Sequence, residues 1–450
     1  MSVKYLGIVL DKRLNWKLHL ESMCKKTSTY FWMCRRTFGQ TWGLQPDRVF
    51  WLYSAVLRPR LFYAAVVWWP RIQQTEARSS LERVRAFFLR GALGAMRTTP
   101  VAAMGVLLGI EPLHLAIVAA AAVTAYRLKC EGKWMSSVTH TRLPRELQMK
   151  TVFDMRQDRM PIRRDFDRSY KIYIPSCEDW KRHEVPAIRN GDVWYTDGSK
   201  TDEGASAEVY GCRSGVRETL PLGEFTTVFQ SEVVAIMSCA QTLTASGETG
   251  RRIRICFDSR AALGELGACV FDSWLVWECK CALNTLSTGN DVVLVWIPEH
   301  SGIRSNEIAD ELARSGSSAR LMGPEPALGL PSCIYRTKIK GWLRDRHINY
   351  WKEETRTKCR QARVLLGETP SRNLARSIRA LRRGEARLAV QIYTGHGFTN
   401  YHMHKLGHSD NPRCRKCEHE EETSLYVLCE CPAYAGQRRL FLCSVFLEPE

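Results

Sequence analysis

Residues 193–200 read VWYTDGSK, and the role of Asp197 within them decides the fold. Val193, Trp194, Tyr195 and Thr196 favour a strand. Asp197, Gly198 and Ser199 taken alone are turn chemistry. Strand-like runs return at 207–211 and 215–222. A helix fits 229–244, FQSEVVAIMSCAQTLT, because Val233, Ile236, Met237 and Ala240 recur at helical spacing. A strand RIRICF occupies 252–257, and a buried-type strand DVVLVWIP occupies 291–298. SNEIADELARS, 305–315, reads as a helix opened by Ser305. Strands first, then strands alternating with helices, predict an α/β fold: a mixed sheet with flanking helices.

Four carboxylates hold informative places in this pattern. Asp197 ends the first strand, and Glu232 lies in the first turns of the helix beside its apolar stripe. Asp258 follows RICF, and Asp310 lies four residues after Asn306. Each has an ordinary reading: a turn for Asp197, a solvent-facing Glu232, a helix cap for Asp258, an ion pair for Asp310. Brought together at one sheet edge, they would repel unless a hard cation neutralised them. Mg²⁺ and Mn²⁺ prefer such oxygen ligands. Two ions about 4 Å apart suit in-line attack on a phosphodiester. His300, in the loop before the last helix, suits proton shuttling or product release.

Four blocks carry a family resemblance: YTDGSK (195–200), FQSEVVAI (229–236), CFDSRAAL (256–263) and WIPEHSGIRSNEIADELA (296–313). They resemble, in order, the signature blocks of a type 1 ribonuclease H domain, placed at 191–317. The resemblance implies a two-metal endonuclease that cuts the RNA strand of an RNA–DNA hybrid and leaves 5′-phosphates. It implies Asp197, Glu232, Asp258 and Asp310 as ligands of two Mg²⁺ or Mn²⁺ ions, with His300 as the mobile histidine. Gly198, Ser199 and Asn306 match substrate-contacting positions. Glu299 stands where such domains often carry Gly, as does Ser305.

The remainder is strongly basic. The 450 residues include 65 Lys and Arg against 47 Asp and Glu, a net charge of +18, which points to nucleic acid as partner. KYLGIVLDKRLNWKLHLE (4–21) and LYSAVLRPRLFYAAVVWW (52–69) resemble the end of the palm and the thumb and connection of a non-LTR retrotransposon reverse transcriptase. The expected plan is a helical thumb or connection region at 1–130, a linker at 131–190, the nuclease at 191–317, basic helices at 334–392 and a Cys/His segment at 393–450. No Asp-Asp pair occurs, so the polymerase aspartates are expected to be missing. A non-catalytic nucleic-acid-binding remnant is the alternative function.

Cys414 and Cys417 form a C-x₂-C pair, and Cys431 follows downstream. With His419, Cys429 or His408 as a fourth ligand they would hold one structural Zn²⁺. The family pattern has His where this chain has Tyr426. The 17 cysteines are an odd count without a secretory leader, which predicts free thiols and an intracellular setting. The Ala-rich run 113–128 is short for a bilayer and reads as a packed helix, with no membrane and no small-molecule cofactor expected.

Overall fold

The computed structural model describes residues 2–133, 155–176, 191–298, 321, 323, 325–354 and 357–448. The expected helix at 305–315, with Asn306 and Asp310, and the loop holding Glu299 and His300 lie outside these residues. The described chain forms two compact bodies. One combines residues 2–125 with 338–448, and the other runs from 126 to 337.

The second body is built on a six-stranded sheet. Its strands are β4 (Lys171–Tyr173), β5 (Asp192–Lys200), β6 (Ala205–Gly211), β7 (Arg217–Gly223), β8 (Arg252–Phe257) and β10 (Asp291–Trp296). The spatial order is β4-β10-β8-β5-β6-β7. β4, β10, β8 and β5 are parallel, and β5, β6 and β7 form an antiparallel meander. The parallel strands β8 and β10 are buried through nearly their whole length, which is why they read as unbroken apolar runs. Helices Val228–Ala245, Arg260–Gly267 and Trp274–Ser287 supply Val233, Ile236, Leu263 and Leu283 to one core with Ile255 and Leu294. The expected mixed α/β sheet is therefore present.

Two details differ from the sequence reading. The first strand does not stop at Thr196: Asp197, Gly198 and Ser199 are strand residues, opposite Glu208, Ala207 and Ser206. The backbone ladder with β6 and the helix packed against Gly198 keep this stretch extended. The stretch 131–190 is also more than a linker. β4 forms the sheet edge, and β3 (Arg163–Arg164) pairs with β9 (Val270–Phe271). The Asp158 carboxylate accepts from Ser273 Oγ at 2.9 Å and from the Leu275 amide at 3.0 Å, reinforcing the start of the Trp274–Ser287 helix.

In the first body VKYLGIVL is a hairpin rather than one strand. β1 (Ser2–Tyr5) and β2 (Ile8–Asp11) turn through Leu6 and Gly7, both at positive φ. Most of its aromatic residues pack between helices, with Phe31 edge-on to Phe88 at 4.6 Å. Trp32 and Trp51 remain exposed. Of the expected basic helical region at 334–392, the described residues from 338 on share one compact body with residues 2–125. Arg383 is buried and donates to the carbonyls of Gly39 (3.0 Å), Leu44 (2.6 Å) and Gly91 (2.5 Å). A guanidinium can be buried only where its donors find such acceptors. The Leu113–Cys130 helix is long and apolar enough to cross a membrane by composition, yet Leu113, Ile117, Ala121 and Ala125 are buried in the protein. All described cysteines are free thiols.

Candidate active site and a cysteine cluster

Asp197 reaches the site from the middle of β5. The residue beside it makes the geometry possible. Gly198 is buried, and a β-carbon there would lie 2.6 Å from Ser231 Oγ and 2.7 Å from the Ser231 carbonyl carbon, with the Glu232 amide nitrogen closer still. Only a residue without a side chain lets the helix lie this close to the strand. Gly198 thereby admits the helix that carries Glu232.

That helix starts at a capping box. Thr227 Oγ1 accepts from the Gln230 amide at 3.3 Å, and Gln230 Oε1 accepts from the Thr227 amide at 3.2 Å. Gln230 Nε2 also donates to the Gly329 carbonyl at 2.8 Å. The cap fixes the first turn, and Glu232 follows one turn inside, buried.

Asp258 stands at the carboxyl end of β8. It is not the helix cap: Ser259 is, with its Oγ accepting from the Ala262 amide at 3.3 Å. Trp296 Nε1 donates to the Asp258 carbonyl at 2.9 Å, and the Arg260 guanidinium lies 4.1 Å from the Trp296 ring centre. This brace holds the backbone so that the Asp258 side chain turns toward its partners.

Asp197, Glu232 and Asp258 each place a carboxylate oxygen within 4.8 Å of the others. Three residues 26–61 positions apart thus meet at one sheet edge. The donor set suits a hard divalent cation, being all oxygen and all anionic. Ser199 is half-buried on β5 opposite Ser206. Lys200 donates to the Glu224 carbonyl at 2.8 Å and the Thr226 carbonyl at 2.5 Å, pinning the chain between β7 and the helix.

The family described as RNase H matches residues 189–318. This segment is an RNase H domain. About a quarter of the chain is similar to proteins of R1 retrotransposable elements. One is the putative 115 kDa protein of element R1DM of Drosophila melanogaster, 28% identical over 26% of this chain and 11% of the relative. A second is a retrovirus-related Pol polyprotein of element R1 3 of Nasonia vitripennis, 24% identical over 24% of this chain and 30% of the relative. A third is the R1 Pol polyprotein of Bradysia coprophila, 29% identical over 25% of this chain and 11% of the relative. The chain thus spans less than a third of the length of these relatives.

The RNase H domain holds one acidic residue that the sequence reading passed over. Glu208, on β6 directly opposite Asp197, is fully buried. Burial lifts its carboxyl to about 7, with Asp197 and Glu218 adding to the rise. Thr219 opposes it by donating to Oε2 at 2.5 Å. The available signal was a lone acid in the small-residue strand ASAEVYG.

The other body gathers a second donor group. Cys414 and Cys431 are buried, and Cys417 is half-buried. Their sulfurs lie 3.8 Å (Cys414–Cys431) and 3.6 Å (Cys417–Cys431) apart. Zn–S bonds of about 2.3 Å at tetrahedral angles require about 3.8 Å between sulfurs. His419 and Cys429 do not join this group. The Tyr426 hydroxyl does approach it, 3.1 Å from Cys417 Sγ. That contact is the largest influence drawing the Cys417 thiol down to about 6, and it pushes the Tyr426 phenol up.

Proposed function

We propose that the protein is a metal-dependent endonuclease that hydrolyses the RNA strand of RNA–DNA hybrids, leaving 5′-phosphates. The convergence of Asp197, Glu232 and Asp258 within an RNase H domain carries this reading. Asp310 is proposed as the fourth ligand on the motif match alone, with His300 moving protons and with Ser199 and Asn306 contacting substrate. Two Mg²⁺ or Mn²⁺ ions would activate the attacking water and stabilise the leaving 3′ oxygen. The chain's own contribution is positional. Asp197 is held by the strand ladder, Glu232 by the capped helix, and Asp258 by the Trp296 brace. The carboxylates therefore need little rearrangement to bind cations.

The test is cleavage of a labelled RNA–DNA hybrid by the full chain in Mg²⁺ or Mn²⁺. Wild type is expected to cut and Asp197→Asn to lose activity. Equal cutting by both, or salt-dependent hybrid binding without any cutting, would favour the alternative of a non-catalytic nucleic-acid-binding protein.

A structural Zn²⁺ at Cys414, Cys417 and Cys431 is proposed on the sulfur spacing, with the Tyr426 hydroxyl beside Cys417. Its role would be structural or in nucleic-acid contact.

A further inference from the structure

The helical body contains a cavity of about 790 Å³. Among the described residues its lining carries Arg58, Lys340, Arg344 and Arg372 against one carboxylate, Glu111. Arg58 pairs with Glu111 at 3.7 Å, so that acid is already engaged. Lys340 and Arg344 lie one turn apart on the Ser332–Asn349 helix, and His347 continues the same face. Across the cavity Ser371 caps the nine-residue helix Arg372–Ala380, its Oγ accepting from the Leu374 amide at 3.2 Å. The positive end of that helix thus opens on the cavity wall.

A second observation points to a ligand. His347 is 6% exposed and lines the cavity, yet its Nε2 meets no hydrogen-bond partner among the described residues. A buried ring nitrogen without a partner costs about 1–3 kcal/mol. Burial and the nearby Arg85 hold the imidazole neutral, with its pKa near 3. A neutral ring offers Nε2 as a donor in one of its tautomers.

We propose that this cavity is a phosphate-binding subsite that grips the backbone of a nucleic-acid strand, on the helical body and distinct from the acidic centre of the RNase H domain. The cations, the helix start and the His347 donor are all suited to phosphate oxygens. The cavity is in the size range of ligand sites and larger than a lone ion needs. The net charge of +18 supports a polyanion rather than a small anion.

The test is fluorescence anisotropy of the full chain with a labelled RNA–DNA hybrid in EDTA, between 50 and 200 mM KCl. Without metal, the result does not depend on cleavage. The variant Lys340→Ala/Arg344→Ala/Arg372→Ala is compared with Lys12→Ala/Lys25→Ala/Lys26→Ala, which removes three exposed cations outside the cavity lining. The cavity variant is expected to bind about tenfold more weakly, with a log–log salt slope smaller by about 2–3. The control is expected to change less than about threefold. Equal losses in both variants, or no loss in either, would overturn the proposal. So would stabilisation of wild type, but not the cavity variant, by inorganic phosphate with hybrid affinity unchanged, because the site would then serve a small anion.

Discussion

Gly198 and Glu232 meet backbone to backbone: a β-carbon on Gly198 would overlap the Glu232 amide nitrogen. The strand that supplies one carboxylate is in this way pressed against the helix that supplies another. Gly198→Ala is expected to cost about 1–3 kcal/mol through overpacking. It should also push Glu232 out of register with Asp197. Urea unfolding would show the first effect, and a loss of hybrid cleavage exceeding the loss of folded protein would show the second.

The three clustered carboxylates repel one another without a cation. Asp258→Asn is expected to raise the melting temperature of the RNase H domain in EDTA, by relieving about 1 kcal/mol of repulsion. The same variant should lose most of the stabilisation that Mn²⁺ gives wild type through binding to the folded state. Thermal scans with and without Mn²⁺ check both. A variant that melts lower in EDTA and keeps the Mn²⁺ shift would remove Asp258 from the metal site.

Arg383 ties the C-terminal helices to residues 39–91 through three carbonyls. Arg383→Met leaves those acceptors buried without a donor and is expected to cost about 3 kcal/mol or more. Arg383→Lys should recover only part, because one ammonium cannot reproduce the guanidinium fork. Chemical denaturation of the three proteins gives the order.

His347 supplies a pH dependence. Its folded pKa, about 3, lies below the ordinary histidine value of 6.5. The unfolded chain therefore binds a proton that the folded chain refuses. The stability this neutral group preserves is complete above about 6.5 and is lost as pH falls toward 3. The loss approaches about 1.4 kcal/mol per pH unit below 6. Urea titrations at pH 7 and 5 should show it, with a shallower decline in His347→Gln.

Tyr426 stands beside Cys417, at the position where the family pattern has His. Tyr426→His is expected to raise Zn²⁺ affinity at least tenfold, because imidazole is a far better zinc ligand than a neutral phenol. Competition with a chromophoric chelator measures this. Unchanged affinity would place the fourth ligand elsewhere.

The sequence showed the sheet clearly where burial leaves a periodic or unbroken apolar mark, as in RIRICF and DVVLVWIP. It showed less where residues are short or serve distant partners. Asp197-Gly198-Ser199 read as a turn because Gly and Ser are turn formers; only the ladder with β6 and the helix above it make them strand. Asp158 carried no mark of its role, since a cap supplied from 115 residues away has no local pattern. Glu208 was hidden for the same reason: its partner Asp197 lies on another strand.

By itself the sequence determined the mixed α/β sheet and the order of its acidic motifs, because strand and helix periodicity and cap residues are local properties of the chain. Only the tertiary structure decided that Asp197, Glu232 and Asp258 share one site, that Gly198 serves helix packing, and that residues 2–125 and 338–448 form one body. Those outcomes rest on contacts between segments far apart in sequence. Such contacts form when burying apolar surface and satisfying buried polar groups requires those segments to meet, and no local pattern records them.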